Sequence, residues 1–303
     1  MDIDKEYLIG DGIHGKFLIP FLSDTFKVRD IPLNPFSPTD HYKPRVKLID
    51  FEGEVWMGNH FYPIVAYALC HPYAYDGGII KFGGDREIPL TLFRGLPDGR
   101  EEVYSNFYIE RLRLFAKGDG IVGFSASGVS NRVDSVDIGQ ELPSPTGFAI
   151  AGHNVAVFNG AQADAKNQIY PASFELTINN NFSNINDDSV AGALEVRGEL
   201  GIDVYSEFEA FKKFLPDTNS NFIRLRSAQE DVFPLLAKFG KGDGSFSLFL
   251  PKCVLNAFMK IDGYDVEHSS NKKNMDVFQL SFTALYDDKF GTGYFEFHGG
   301  EEG

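Results

Sequence analysis

The sequence predicts a mainly β protein built as two tandem β-sandwich or barrel domains, each with one short flanking α-helix. Three observations carry this. In residues 194–215, Leu194, Val196, Gly198, Leu200 and Ile202 alternate with Glu195, Arg197, Glu199 and Gly201, the period of a strand with one buried face. The period then changes: Phe208, Phe211, Phe214 and Leu215 share one side of a helix opposite Glu207, Glu209, Lys212 and Lys213, and Pro216 ends it. Second, residues 49–69 use the same device. Ile49, Phe51, Gly53, Val55 and Met57 alternate with Asp50, Glu52, Glu54 and Trp56. Phe61, Val65 and Leu69 then form a helical row before Pro72. A shift of 145 residues lays Gly53-Glu54 on Gly198-Glu199. Third, the chain is rich in strand-favouring aromatics, 29 Phe and 13 Tyr, and its 31 Gly and 15 Pro supply turns.

Register, change of period and terminating proline all match, so we read an internal duplication. The alternative is two unrelated strand–helix units. The predicted domains are 1–135 and 154–303, with 136–153 as linker around Pro143, Ser144 and Pro145.

In chain order, residues 1–15 read as an arm or first turn. Gly10 to Gly15 spells G-x-G-x-x-G, but strand-like KFLIPFL follows where a dinucleotide fingerprint needs a helix, so these are turn glycines. Residues 16–33 give one or two strands, and 34–44 a proline-punctuated loop. After the first strand–helix unit, 73–87 are a Gly-rich loop or hairpin and Ile88–Phe93 a strand. Residues 103–116 are a long strand, turned by Lys117 to Gly120 into a strand with Val122, Phe124 and Ala126 on one face. In the second half, VAVFNG (155–160) and SFELTINNN (173–181) read as paired strands, and 182–190 as a polar loop. Strands at 221–228 and at 245–261, the latter bent near Pro251, follow the second unit. A polar loop at 268–274 leads to Phe278, Leu280, Phe282, Ala284 and Tyr286 in clean alternation, and FGTGYFEFHGG ends in a small strand. Each half thus orders as hairpin, strand, helix, then three or four strands.

The formal net charge of −15 is shared by both halves. No basic face is offered to phosphates, which argues against specific nucleic-acid binding. Cys70 and Cys253 read as reduced core thiols. The acidic start MDIDKEYLIGDG lacks an apolar signal region, and no run is long and apolar enough to span a membrane, so cytosolic synthesis and no membrane partner are expected. Asn181-Phe182-Ser183 fits a glycosylation sequon that such a location leaves unused.

No catalytic, cofactor-binding or metal residues are predicted. His14, His41, His60, His71, His153, His268 and His298 show no metal-ligand spacing, and His60 and His71 flank the first helix as surface or capping residues. Ser125 lies opposite Phe124 on a strand rather than on a nucleophile elbow. Asp187-Asp188 and Asp287-Asp288 are loop carboxylates read as solvated rather than calcium-binding. The expectation is a protein that is not an enzyme.

Ser173 to Asn181, Val196 to Leu200 and Leu250 to Leu255, with the helix and the terminal alternating strand, resemble the tail tube proteins of long-tailed bacteriophages, in the class with two tube-like halves. The likeness is best over 155–297 and reaches the first half through Phe51 to Val55, where the 73–103 loops depart from it. It implies a β-sandwich or barrel with a flanking helix in each half. It implies stacked homo-oligomeric rings forming a hollow virion conduit for genome ejection. Trimers of pseudo-sixfold symmetry are expected, with hexamers second. Tape measure, terminator and baseplate or tip proteins would be partners, and DNA would pass without specific binding. Asp50, Glu52, Glu54, Glu195 and Glu199 become candidates for an acidic lumen wall. The alternatives are another virion ring component, such as a tail terminator or baseplate hub, or a glycan-binding or glycan-hydrolysing β-sandwich. The single Trp56 weighs against the last.

Overall fold

The computed structural model describes residues 7–20, 25–30, 47–57, 61–71, 78–82, 88–98, 100–130, 132–137, 147–180, 199–214, 232–261 and 277–298. The expected strand at 221–228, the loops at 34–44, 182–190 and 268–274, Leu194 to Gly198, and His41, His60 and His268 lie outside these residues.

The chain begins with β1 (Tyr7–Gly12) and β2 (Gly15–Ile19), a hairpin in which Gly12 faces Gly15. Residues 7–15 are therefore strand and turn rather than a loose arm. Gly15 has φ +79°, the left-handed region where glycine avoids a Cβ clash, which is the turn role expected of these glycines. Next come β3 (Lys27–Asp30), β4 (Lys47–Glu54), α1 (Phe61–Ala68), β5 (Ile79–Lys81), β6 (Leu90–Gly95), β7 (Arg100–Lys117), β8 (Val122–Ser130) and β9 (Arg132–Asp137). The second half comprises β10 (Val155–Asn159), β11 (Gln168–Ile169), β12 (Ser173–Asn179), β13 (Glu199–Glu207), α2 (Phe208–Phe214), β14 (Val232–Phe239), β15 (Phe246–Ile261), β16 (Val277–Ala284) and β17 (Tyr294–Phe297).

The 17 strands among the described residues belong to one continuous antiparallel sheet that does not close into a barrel. The reason lies in the two long strands, which change partners midway. The first part of β7 pairs with β6 and β9, and its second part with β8 and β12. The first part of β15 likewise pairs with β14 and β17, and its second part with β16. Each strand changes course at β-bulges, and a bulge bends the strand that carries the extra residue. The expected pairing of 155–160 with 173–181 is not formed. β10 pairs with β11 and β14, whereas β12 pairs with β13 and β7.

The order of pairings occurs twice. The pairs β1–β2, β1–β6, β3–β4, β4–β8, β6–β7, β7–β8 and β7–β9 have counterparts in β10–β11, β10–β14, β12–β13, β13–β16, β14–β15, β15–β16 and β15–β17. The irregularities coincide too. In β7 the register slips between Tyr104 and Phe107 and again between Ile109 and Arg111. In β15 it slips between Leu250 and Cys253 and between Leu255 and Ala257, each 146 residues further on. The sequence offset of 145 is corrected for the strand before the helix. Asp50 faces Ser127 as Asp203 faces Ser281, so β4 maps onto β13 with an offset of 153, and the counterpart of Gly53 is Ser206. Sliding a strand by eight residues keeps every side chain on its face, so alternation alone could not distinguish the two registers.

The first helix is not flanking. Every residue of α1 is buried, because the segment FYPIVAYA has no polar face. Pro63 is tolerated in the first turn, where its missing N–H would find no helical partner. The sheet wraps around this helix. The Phe61 ring lies 5.4 Å from Phe124 of β8 and 5.6 Å from Phe246 of β15. Tyr67 stacks on Phe17 of β2, and Tyr62 meets Phe297 of β17 edge-on. One hydrophobic cluster consequently runs through both halves. The second helix matches expectation: Phe208 and Phe211 lie against Phe258, and Phe208 also against Phe278. Both Cys70 and Cys253 are free and buried, and burial pushes the Cys253 thiol up to about 12.

Candidate assembly surface

Two strand pairings join the halves, a short one between β5 and β17 and a longer seam between β12 and β7. Seven register pairs run from Ser173 opposite Lys117 to Asn179 opposite Arg111. Alternation in both strands makes one side of the seam apolar: Leu112, Leu114, Ala116, Phe174, Leu176 and Ile178 are all buried. On the other side Arg113 reaches diagonally to Glu175, with Nε–Oε1 and Nη2–Oε2 both 2.6 Å. This bidentate geometry suits a planar guanidinium, and the Glu175 carboxylate raises the Arg113 pKa. Buried Asn180 closes the end of the seam. Its backbone N–H donates to the Glu110 carbonyl at 2.8 Å. Its Nδ2 donates to the carbonyls of Ala68 (2.8 Å) and Ile109 (2.7 Å), tying the C-terminus of α1 to the bulge in β7. Residues 147–151 of the expected linker are also held: Ile150 N–H donates to Val55 O, and Val122 N–H to Ile150 O.

Among the described residues, β3 pairs only with β4, and β14 follows β15 only as far as Val254. Exposed apolar side chains mark both places, Val28 on β3 (36% exposed) and Met259 on β15 (47%).

Between β3, β4, β8 and β7 the solvent face of the sheet forms an open groove of about 470 Å³. Asp50 and Glu52 lie here, as the period of two predicts, but they are interleaved with Lys27, Arg29, Arg111 and Arg113. Arg29 pairs with Asp50 at 2.6 Å. The wall expected to be acidic is charge-compensated in this part. Glu54, at the end of the same row, accepts a hydrogen bond from Trp56 Nε1 at 3.3 Å. Glu195 and the side chain of Glu199 lie outside the described residues. Ser125 lines the groove opposite the buried Phe124, as predicted.

The other described polar residues of note hold structural contacts. His14 Nε2 lies 2.9 Å from the His71 carbonyl, beneath the edge of the Tyr67 ring, and burial pushes His14 down. His71 caps α1 through its N–H to the Ala66 carbonyl. Tyr7 donates to buried Glu101, and burial pushes the Tyr7 hydroxyl up. Asp287 accepts from the N–H groups of Lys289 (2.9 Å) and Phe290 (3.0 Å) and pairs with Lys252 (3.2 Å). It is thus committed to a turn, while Asp187-Asp188 lie outside the described residues. Among the described residues no group of three or more His, Cys, Asp or Glu is placed to hold a metal ion. None of their helices is long and apolar enough to cross a membrane. No sequence-family model matches the chain, and no curated protein is similar to it.

Proposed function

We propose that this chain is a structural subunit of a viral tail tube, polymerising as stacked rings into a hollow conduit for genome ejection. The observation that carries the reading is the seam. Two halves with the same pairing order are joined edge to edge in one sheet. A chain made of such halves is a repeating unit for a ring, because a head-to-tail contact between unlike surfaces closes when its rotation allows. The halves act as tandem tube-like domains, three chains supply six of them, and a six-chain ring is the second possibility. The polar face of the sheet forms the wall of the lumen. Its carboxylates and guanidiniums compensate one another, so passing DNA meets neither a phosphate trap nor a strong barrier. The subunit works in the virion tail after synthesis in the host cytoplasm, with tape measure, terminator and baseplate or tip proteins as its other contacts. Catalysis is no part of the role. The resemblance of Ser173 to Asn181 and Leu250 to Leu255 to tube proteins points the same way.

Electron microscopy of the purified chain at high concentration tests this, together with antibody labelling of virions. Hollow tubes with a regular ring repeat, and label along the tail, are the expected results. Label confined to a single level of the tail would replace the tube reading with a terminator or hub ring. Virions without label would overturn a structural role altogether.

A further inference from the structure

We infer that the aromatic turn between β16 and β17 docks onto the opposite end of the same sheet in a second copy of this chain, and that this contact stacks successive rings. The inference rests on the tube reading and names the surfaces of its stacking contact. Strands β4, β8, β7, β12, β13, β16 and β15 lie side by side in one run, which therefore has two ends. At one end Lys117 faces Ser173, Ser173 faces Tyr205 and Glu207 faces Val277. At the other Lys47 faces Ser130, Asn179 faces Glu199 and Cys253 faces Ala284. The strand rise separates the two ends by roughly 20 Å. The exposed Phe and Tyr side chains among the described residues all stand at these ends. Phe148 (67%) and Tyr170 (60%) are at the first, and Tyr286 (70%) and Phe290 (39%) at the second.

Both surfaces are ordered before any partner arrives. Gly118 N–H donates to the Ala172 carbonyl (2.9 Å), Gly152 N–H to Gly120 O (2.7 Å) and Met57 N–H to Phe148 O (2.8 Å). The turn after β7 is thereby tied to the segments that carry Tyr170 and Phe148. In the aromatic turn Asp287 and Gly291 exchange backbone hydrogen bonds of 2.9 and 2.8 Å, and the Phe290 ring lies 5.9 Å from Phe249. Rigid aromatics lose little freedom on docking and make strong anchors. The fold itself does not require this turn. Its counterpart in the first half passes from Ser130 at the end of β8 to Arg132 at the start of β9, whereas residues 285–293 separate β16 from β17. The charges are complementary. Asp288 and Lys289 are exposed on the aromatic turn, and Lys117 and Asp119 on the turn after β7. Lys289 can thus meet Asp119 while Asp288 meets Lys117. A contact between two unlike ends of one molecule repeats in one direction without limit, as a tube requires.

Pairwise mixing of variant rings, observed by electron microscopy, tests the contact. Tyr286→Asp, which disables the turn, should leave unstacked rings at about ten times the concentration at which the wild type forms tubes. Phe148→Asp with Tyr170→Asp, which disables the other end, should do the same. Melting temperatures should not change, since these side chains are exposed. Mixed, the two kinds of ring should form pairs and nothing longer, because the mixture holds one intact surface of each kind. Lys289→Glu should weaken stacking, and Lys289→Glu with Asp119→Lys in one chain should restore it, a readout that leaves every aromatic in place. Ring pairs from one variant alone would mean that like ends meet and would overturn the inference. Tubes from both variants at the wild-type concentration would overturn it and leave the tube reading standing. Wild-type rings that never stack would overturn both.

Discussion

At the scale of single residues, Asn180 shows how one polar side chain holds several elements. It is 4% exposed, and its amide donates to two carbonyls, one from α1 and one from β7. Unmet buried acceptors cost more than a hydrogen bond contributes. Asn180→Ala should lower the unfolding free energy by about 2–4 kcal/mol, measured by urea denaturation. Substitution by a mutation that merely trims exposed surface should cost under about 0.5 kcal/mol. Gly128 works by absence: a Cβ there would run into the Tyr108 carbonyl and the Phe107 ring, at the site of the second bulge in β7. Asp287 gives a pH signature. Hydrogen bonds from the Lys289 and Phe290 N–H groups, with the Lys252 ammonium beside it, hold its carboxyl below the usual range. Because the folded value is depressed, the stabilisation is present above the unfolded pKa of about 4 and fades as pH falls through the folded value. Between about pH 5 and pH 3 the wild type should lose more stability than Asp287→Asn does, and equal losses would refute the assignment.

At the scale of elements, the parts legible in the sequence were those with one wet face. β8 and β16 alternate as read, with Val122, Phe124 and Ala126, and Phe278, Leu280 and Phe282, turned inward. The second helix starts at Phe208, where the period changes. α1 was recognised as a helix from Phe61, Val65 and Leu69, yet was misplaced as flanking. The signal that it is interior was present: Tyr62, Ile64, Ala66 and Tyr67 leave it no hydrophilic side. The strand offset was misread because a period of two is satisfied by any even slide. The seam was invisible, since Arg113 and Glu175 are 62 residues apart and each looks like an ordinary surface charge on its own strand. α1 carries its own prediction. Phe61 touches β8 of one half and β15 of the other, so Phe61→Ala should cost about 3–5 kcal/mol. It should also unfold both halves in one transition; two separated calorimetric transitions in the wild type would show instead that the halves melt independently.

At the scale of the whole molecule, the duplicated pairing order allows two equivalent positions to be compared within one chain. Arg113 and Met259 occupy the same place in β7 and β15, by the offset that aligns the bulges. Arg113 is already inside a seam, paired with Glu175 and backed by the Phe115 ring, its guanidinium 5.3 Å from the ring centroid. Arg113→Glu would set two carboxylates together in a partly buried place and lose a bidentate pair. We expect about 2–4 kcal/mol of lost stability in the isolated chain, less in high salt as repulsion is screened. Arg113→Met should cost less, because it leaves Glu175, 23% exposed, in partial contact with water rather than facing a like charge. In a chain whose halves are joined as described, charge changes at Arg113 act on folding before assembly is reached. If denaturation curves of Arg113→Glu match the wild type while assembly alone fails, β12 and β7 are joined between chains rather than within one. The duplicated sheet would then be exchanged between copies.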